Sequence, residues 1–391
     1  MGYRYTVLGA GRQGVALAYD LAKNCEADQV AIADADVTVA RRAVQRLSAL
    51  LPSAAGRFSA VACNVTNPRE VSAAVAGVDV VISAVPYQFN IELTDAAIRA
   101  GASFCDLGGN TSVVREQLAR DTRARAAGVS IAPDCGLAPG LGNALAAHGV
   151  ASLDQPREVH IRCGGLPQRP VGPLGYKLVF NFQGLINEYS GFGEFLRDGV
   201  RVSKPALTEL ETIDFPPPVG RCEAAITSGG TSTCADTFAG RLEAYDYKTV
   251  RYIGHFAAIR AMFELGCFEE RLTLRDGSMI EPRPMLRRLF EERLAFPEVR
   301  DLVVLRVIVS GRAGGQPRTL RYDLFDQHDE ATGFTAMERT TAFPAALVAH
   351  MQARRLVQPG ARPLEQALPA QAYFEELPKH DIRVKLEMLT E

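Results

Sequence analysis

Residues 4–14 read Arg-Tyr-Thr-Val-Leu-Gly-Ala-Gly-Arg-Gln-Gly, a short apolar run followed by the loop Gly9-Ala10-Gly11-Arg12-Gln13-Gly14. The spacing G-x-G-x-x-G is weak alone, because glycine is common. Its surroundings give it meaning. A strand precedes it at 4–8, a helical pattern runs from Arg12 to about Lys23, and a second apolar run, 29–34, ends in Asp34. That is the order of a nucleotide-binding βαβ unit. Gly9 permits the tight turn, Gly11 lets the backbone approach a pyrophosphate, and Gly14 lets helix and strand pack closely. The pyrophosphate sits on unpaired N–H groups at the positive end of the helix dipole. Asp34 is placed to accept hydrogen bonds from the adenosine ribose. A carboxylate there repels a 2′-phosphate, Ala35 stands where an arginine would welcome one, and Asp36 adds negative charge. Arg12 is the basic residue of the loop able to reach a phosphate. The balance predicts NAD over NADP, and FAD less than either.

Outward from this unit the alternation continues. Residues 37–50 carry Val39, Ala43, Leu47 and Leu50 on one helical face. Strand-like runs at 57–63, 79–85, 102–106 and 129–133 alternate with helical patterns at 68–76, 90–100 and 112–127. Asn67 before Pro68 reads as a helix cap, and Gly101 and Gly128 as helix ends. Six continuously apolar strands with helices between them predict an α/β, doubly wound parallel sheet over residues 1–134. Ligands of such sheets lie outside the carboxyl ends of the strands. Asn64 is thereby a candidate for adenine, and Ser83, Ala84, Val85 and Pro86 for the nicotinamide ribose, alongside Arg12 and Gln13 of the loop. Cys105-Asp106-Leu107-Gly108-Gly109 and Pro133-Asp134-Cys135-Gly136 end strands on the same edge, each joining a carboxylate to glycine.

The texture changes after about residue 150. Residues 157–163 alternate with period two, and 301–309 and 319–326 flank a glycine-rich turn as a hairpin would. Helical stretches fall at 178–189, 254–264 and 283–292. The prediction is an α+β substrate-binding domain on an antiparallel sheet over 135–335, with 336–391 forming a helix (337–354) and tail that return to the first domain. Two polar stretches stand out: Thr227-Ser228-Gly229-Gly230-Thr231-Ser232-Thr233 and Tyr247-Lys248-Thr249-Val250-Arg251-Tyr252-Ile253-Gly254-His255. On a strand, Lys248 and Arg251 face opposite ways. Arg251 is the better carboxylate clamp, since its fork engages both oxygens. Tyr176 and Lys177 follow a Gly/Pro-rich loop.

Bulk properties bound the function. A chain of 391 residues exceeds one core's usual size of about 250–300. The net charge of −2 offers no field for nucleic acid or an anionic membrane. The eight cysteines include no C-x-x-C pair, which argues against a zinc ribbon or redox dithiol and for buried reduced thiols; no metal is expected. The chain enters a strand at once, leaving no signal peptide, and no apolar run reaches the ~18 residues of a membrane helix. A cytoplasmic protein is expected.

Taken in order, GAGRQG, DLGG at 106–109, APDCGLAPG at 132–140, TSGGTST at 227–233 and YKTVRYIGH at 247–255 resemble the saccharopine dehydrogenase-like superfamily, the last two being most similar to its lysine 6-dehydrogenases. The resemblance covers nearly the whole chain. It implies an N-terminal Rossmann domain, an α+β substrate and dimerisation domain, a returning C-terminal segment and a homodimer through the antiparallel sheet. Asn64 departs from it, since relatives often carry aspartate there. The activity implied is NAD-dependent oxidation of the ε-amine of L-lysine to 2-aminoadipate 6-semialdehyde, which cyclises to piperideine-6-carboxylate, with release of ammonia. Within that reading Asp134 binds the ammonium or takes its proton, beside Asp106. Arg251, with Thr231, Ser232 and Thr233, holds the carboxylate, and His255 and Tyr176 are candidate proton carriers. Saccharopine dehydrogenase or another C–N oxidoreductase, such as a carboxyspermidine-type synthase, and a non-catalytic NAD-binding protein are the competing readings.

Overall fold

The computed structural model describes residues 2–389. The first half alternates β1 (Tyr3–Leu8), α1 (Arg12–Asn24), β2 (Ala27–Asp34), α2 (Val37–Leu50), β3 (Phe58–Ala62), α3 (Pro68–Ala74), β4 (Val80–Ser83), α4 (Asn90–Ala100), β5 (Ser103–Asp106), α5 (Thr111–Leu118), α6 (Asp121–Ala127) and β6 (Ser130–Ala132). Then come α7 (Leu141–Ala151), β7 (Gln155–Pro167), α8 (Phe182–Tyr189), β8 (Phe192–Arg197), β9 (Val200–Pro205), β10 (Glu211–Phe215), β11 (Gly220–Ile226), α9 (Cys234–Thr237), β12 (Ala244–Tyr252) and α10 (His255–Glu264). The chain closes with β13 (Leu272–Thr273), β14 (Met279–Ile280), α11 (Pro282–Arg293), β15 (Asp301–Ala313), β16 (Gln316–Gln327), α12 (Ala336–Ala353), β17 (Gly360–Ala361), α13 (Leu364–Ala367), α14 (Ala370–Glu376) and β18 (Val384–Leu389).

The first sheet is wholly parallel, in the order β17-β6-β5-β4-β1-β2-β3. Its strand order reverses beside β1, and the crevice at that point is where dinucleotides bind in such sheets. The caps follow the sequence. Asn67 accepts from the Arg69 N–H with proline at the first helical position, and Gly101 and Gly128 take left-handed φ of 69° and 68°. The single helix expected over 112–127 is two. Ala119 and Arg120 turn the chain, and Asp121 opens the second helix with a carboxylate that suits a helix start.

The second sheet has nine strands. Its main path is β10-β11-β12-β7-β15-β16-β18, with β8 paired to β12 and β9 to β8. It is mixed rather than antiparallel, because β7 and β12 run parallel. Period-two alternation reports which face a side chain takes, not strand direction, so it did not carry the antiparallel expectation. The hairpin of β15 and β16 is as expected.

The returning segment serves both sheets. Helix α12 is almost wholly buried and packs on α1, β4 and β5 on one side and on β15 on the other. Strand β17 lengthens the first sheet, while β18 pairs with β16, setting Val384, Leu386 and Met388 opposite Leu324, Tyr322 and Leu320. One apolar core accordingly runs from Val7 and Leu17 through Phe343 and Leu347 to Val303 and Leu305. All eight cysteines are free thiols, and seven are buried. Among the described residues, no helix is long and apolar enough to cross a membrane.

Candidate active site

The glycine loop is built by contact rather than by composition. Gly9 has φ of 100°, and a Cβ there would lie 2.8 Å from the Ala84 carbonyl oxygen. A Cβ on Gly14 would lie 1.8 Å from the Gly9 oxygen, so α1 reaches the strand only as glycine. A Cβ on Gly11 would meet nothing within 4 Å, which leaves an open approach to the N–H groups at the start of α1. The residues therefore fit a dinucleotide pyrophosphate. Gly14→Ala is expected to abolish nucleotide binding in titration calorimetry and to lower the melting temperature by several degrees. A variant binding as tightly as the parent would refute the packing role.

Asp34 steadies the loop from β2. One carboxylate oxygen accepts the Ala10 N–H at 3.0 Å and the other the Asp36 N–H at 3.0 Å. Each oxygen keeps a lone pair for a ribose hydroxyl. Arg12 and Gln13 turn the other way. Arg12 pairs with Glu338 at 2.5 Å and donates to Thr335, and Gln13 donates to the Met337 carbonyl at 3.4 Å. These two residues clamp α1 to the start of α12, so the backbone is left to read the phosphates. Asn64 accepts from its own turn, from the Thr66 N–H at 3.0 Å and hydroxyl at 2.8 Å. At the end of β4, Ser83 is buried and donates to Asn90 at 2.7 Å, Ala84 and Val85 pack against Gly9, and Pro86 precedes Tyr87.

Two strand ends beyond β4 meet around a carboxylate pair. Asp106 accepts from the Gly108 N–H at 2.8 Å, the Asp134 N–H at 3.1 Å and the Gln117 amide at 2.7 Å. It organises the two turns and turns its oxygens inward. Asp134 holds a left-handed φ of 59°. One of its oxygens receives the Ser232 hydroxyl, and the other is buried with no hydrogen-bond partner. Gly108 must be glycine, since a Cβ would stand 2.3 Å from that orphan oxygen. Burial, then the charge of Asp106, raises the Asp134 carboxyl to about 7, against the pull of the Ser232 hydrogen bond. A third carboxylate comes from α13: Glu365 accepts from Thr233 at 2.9 Å and Thr237 at 2.5 Å, and its burial also raises its pKa. Among the described residues, none of these three carboxylates has a basic side chain as partner.

The opposite wall is a charge pair on α8 and β12. Arg251 donates to the Tyr189 hydroxyl at 2.8 Å and to both oxygens of Glu188 at 3.2 and 3.3 Å. Its guanidinium is buried and already paired, not a free clamp. Thr249 also donates to Glu188, at 2.6 Å. Tyr176 lies beneath Arg251, ring centroid to guanidinium 5.0 Å, with its hydroxyl buried, partnerless and pushed up to about 12 by burial. His255 is bracketed: one ring nitrogen meets the Leu174 carbonyl at 3.0 Å, the other the Tyr189 hydroxyl at 2.8 Å. A carbonyl only accepts, so Nδ1 carries the proton and Nε2 accepts from tyrosine. Burial and Arg251 push His255 down to about 3. A neutral ring with both nitrogens committed anchors the wall, which sets His255 apart from the proton-carrying part expected of it. Lys248, as its parity requires, faces away from Arg251 and pairs with Glu211.

The loop 227–233 joins the two walls. Thr227 meets Thr249 at 2.8 Å at one end, Thr231 donates to the Glu194 carbonyl at 2.7 Å, and Ser232 and Thr233 reach the carboxylates at the other. Lys177 donates to the Phe296 and Val299 carbonyls and stands apart. Sequence reasoning missed Glu188, Tyr189, Glu365, Tyr87 and Asn187. The last two link the domains, Asn187 donating to the Tyr87 hydroxyl at 3.1 Å. A polar pair at the end of an apolar helical run was the one signal available for 187–188.

Two family models match in tandem: the saccharopine dehydrogenase NADP binding domain over residues 5–132 and the saccharopine dehydrogenase C-terminal domain over residues 136–382. The chain is 28% identical over 178 residues to saccharopine dehydrogenase (NADP(+), L-glutamate-forming) of Saccharomyces cerevisiae, covering 42% of this chain and 37% of that one. It is 30% identical over 188 residues to the same-named protein of Pyricularia oryzae, covering 44% and 39%. It thus spans about two-fifths of the length of these curated relatives. Among solved structures, the apo histidine-tagged saccharopine dehydrogenase (L-Glu forming) from Saccharomyces cerevisiae superposes with a TM-score of 0.77 at 19% identity over 100% of both chains, which speaks for the fold. With its α/β nucleotide-binding sheet and its mixed second sheet matched along their length, the chain belongs to the saccharopine dehydrogenase family.

Proposed function

We propose that this protein is an NAD-dependent dehydrogenase of an amino-acid amine, with the ε-amine of L-lysine as its first-choice substrate. The single observation behind the reading is the partnerless, buried oxygen of Asp134 within a group of three carboxylates. A buried carboxylate cluster without a cation is costly unless a ligand supplies one. An ammonium does so, and that same oxygen can then take a proton from it.

The proton bookkeeping is workable. A free lysine ammonium has a pKa of about 10.4, roughly three units above the value of about 7 at Asp134. Entry into a water-poor site lowers the ammonium and closes part of that gap. Once the amine is neutral, its lone pair can drive hydride loss from the neighbouring carbon. Bound nicotinamide supplies the hydride acceptor. Water then adds to the imine, giving aldehyde and ammonium, so that, counted from the protonated substrate, one alkylammonium, one NAD⁺ and one water yield one aldehyde, one NADH, one ammonium and one proton. The Glu188–Arg251 pair carries both charges that an amino-acid head group needs, but they are spent on each other, so a head group would bind there by exchanging that pairing, its ammonium taking Glu188 and its carboxylate the guanidinium. Asp106 positions Asp134, while Thr231, Ser232 and Thr233 tie the two walls together. Residues 135–335 supply the substrate side. We read the protein as a homodimer of the cytoplasm, where eight unpaired thiols persist.

Saccharopine is the second reading, favoured by the names of the relatives. It needs room for a glutamate moiety and cations for its additional carboxylates. The test is NADH formation with lysine, saccharopine and a panel of amines, each with NAD⁺ and NADP⁺. Signal with saccharopine but not lysine would overturn the first choice, and silence with every amine would favour a non-catalytic nucleotide-binding protein. Cofactor choice has its own test. Asp34→Ala is expected to raise the ratio of NADP⁺ to NAD⁺ efficiency by about tenfold or more, since removing one like charge beside a phosphate is worth on the order of 1.4 kcal/mol. An unchanged ratio would remove Asp34 from cofactor selection.

A further inference from the structure

At the end of α1 farthest from the glycine loop, three donors of different chemistry converge from distant parts of the chain. Asp20 lies in the second half of α1, Cys25 caps that helix, and His380 ends the short turn at 377–380 by which the tail docks. A carboxylate oxygen of Asp20, the Cys25 sulfur and a ring nitrogen of His380 all lie within 4.8 Å of one another. All three residues are buried, none more than 1% exposed. No spacing motif announces them, since His380 stands 360 positions after Asp20.

The three are held as ligands are held. His380 Nδ1 donates to one Asp20 oxygen at 2.5 Å, and the other oxygen accepts the Asn24 amide at 2.6 Å, which fixes the carboxylate as outer partners fix the ligands of a metal. Cys25 is steadied through its backbone, its carbonyl accepting the Tyr5 hydroxyl at 3.1 Å, while its sulfur makes only a long contact of 3.6 Å to the Ala346 carbonyl. An Asp–His pair taken out of water is repaid only in part by its own attraction. A divalent cation between the two repays more, and it engages the sulfur as well. Thiolate, imidazole and carboxylate together suit a borderline-soft ion, whereas magnesium and calcium take oxygen alone. Zinc bonds of about 2.0–2.3 Å set tetrahedral donors roughly 3.3–3.5 Å apart, so Asp20 and His380 need part by only about 1 Å.

We propose that Asp20, Cys25 and His380 form a structural site for a divalent ion of the zinc class, with one water as the fourth ligand. On binding, the Cys25 thiol gives up its proton and Nδ1 frees the lone pair it now covers. The site lies about 12–20 Å along α1 from the phosphate loop, so its work is to hold the fold rather than to touch the nucleotide. It clasps the returning tail to α1 just before β18 joins the second sheet, and so ties the two sheets together from a third side. Lys23 and Asp381 bridge the same two segments at 2.8 Å, but that pair is open to solvent and worth little.

The full chain, stripped with EDTA and titrated with zinc, tests it. Calorimetry is expected to show one zinc per chain with a Kd of about 1 μM or tighter, and the melting temperature is expected to rise by several degrees while the Kd for NAD stays the same. Cobalt(II) in place of zinc is expected to give a thiolate-to-metal charge-transfer band. Asn24→Ala, which reaches the ion only through Asp20, is expected to weaken zinc about 10–100-fold, and Cys25→Ser at least as much, with loss of the cobalt band. Cys267→Ser, at the one cysteine that is not fully buried, is expected to change neither. Stripped protein that takes up no zinc, a melt that zinc leaves unmoved, or a cobalt complex without the thiolate band would each overturn the site. So would binding that is lost in Cys267→Ser and kept in Cys25→Ser.

Discussion

Asp134→Asn is expected to lower kcat/KM for the amine by about 10²–10⁴-fold, the usual worth of a positioned proton acceptor, and to make the protein more stable above neutral pH. The two effects share one cause. The fold raises this carboxyl from 3.8 to about 7. An acid raised on folding contributes stability while it is protonated. That contribution is complete below about pH 4 and is lost as pH climbs through about 7. Above that pH the buried carboxylate is a burden on the order of a few kcal/mol, which asparagine, always neutral and nearly the same shape, does not carry. Thermal melts of the two proteins should therefore coincide below about pH 4, separate as pH rises from about 4 to about 7 and stay apart above that, the variant melting higher. In the parent, kcat/KM should rise with pH through the same region and the variant should lack that limb. A variant that keeps activity within about threefold would remove Asp134 from proton transfer, and one that melts lower at high pH would show the carboxylate to be structural.

Arg251→Ala is expected to be the most destabilising single change on the opposite wall, by about 3–5 kcal/mol, because it strands a buried partner charge. Glu188 would lose its cation, and the Tyr189 hydroxyl would lose the donor that lets it serve His255. A failed fold would say nothing of substrate, so Arg251→Lys carries the functional part. Lysine keeps the charge but cannot grip Glu188 and Tyr189 together. It is expected to raise KM for the amino acid at least tenfold with the Kd for NAD unchanged. An unchanged KM would take Arg251 out of head-group binding.

The first domain was legible because its strands are buried on both faces and its helices on one, so composition and period point the same way. Helix α2 falls where the stripe of Ala43 and Leu47 puts it, and the glycine loop and Asp34 meet as their spacing requires. Less could be read in the second domain. Strands β8, β9 and β10 are short, and in β9 and β10 the period-two alternation runs mostly between exposed and half-buried residues rather than between surface and core, so they were not read as strands. The candidate site was read as a set of types rather than of partners. Arg251 was visible as a basic residue on a strand, but its neutralisation depends on Glu188, 63 positions earlier on a helix. Asp134 was visible as a strand end, whereas Glu365, which shares its surroundings, comes from the far end of the chain. Hydrogen-bond partners set by tertiary approach leave no period behind them.

Helix α12 fills the space between the two sheets, and this has a consequence for biosynthesis. The first 134 residues leave the ribosome with a sheet and an α1 face that have nothing to cover them. Their cover, residues 336–353, follows roughly 10–40 s later at ~5–20 residues per second. For that interval Tyr19, which later meets Phe334 and Phe343, and the rest of that α1 face are presented to water or to a chaperone. The nucleotide-binding half, although made first, is thus completed only when α12 and β17 have followed.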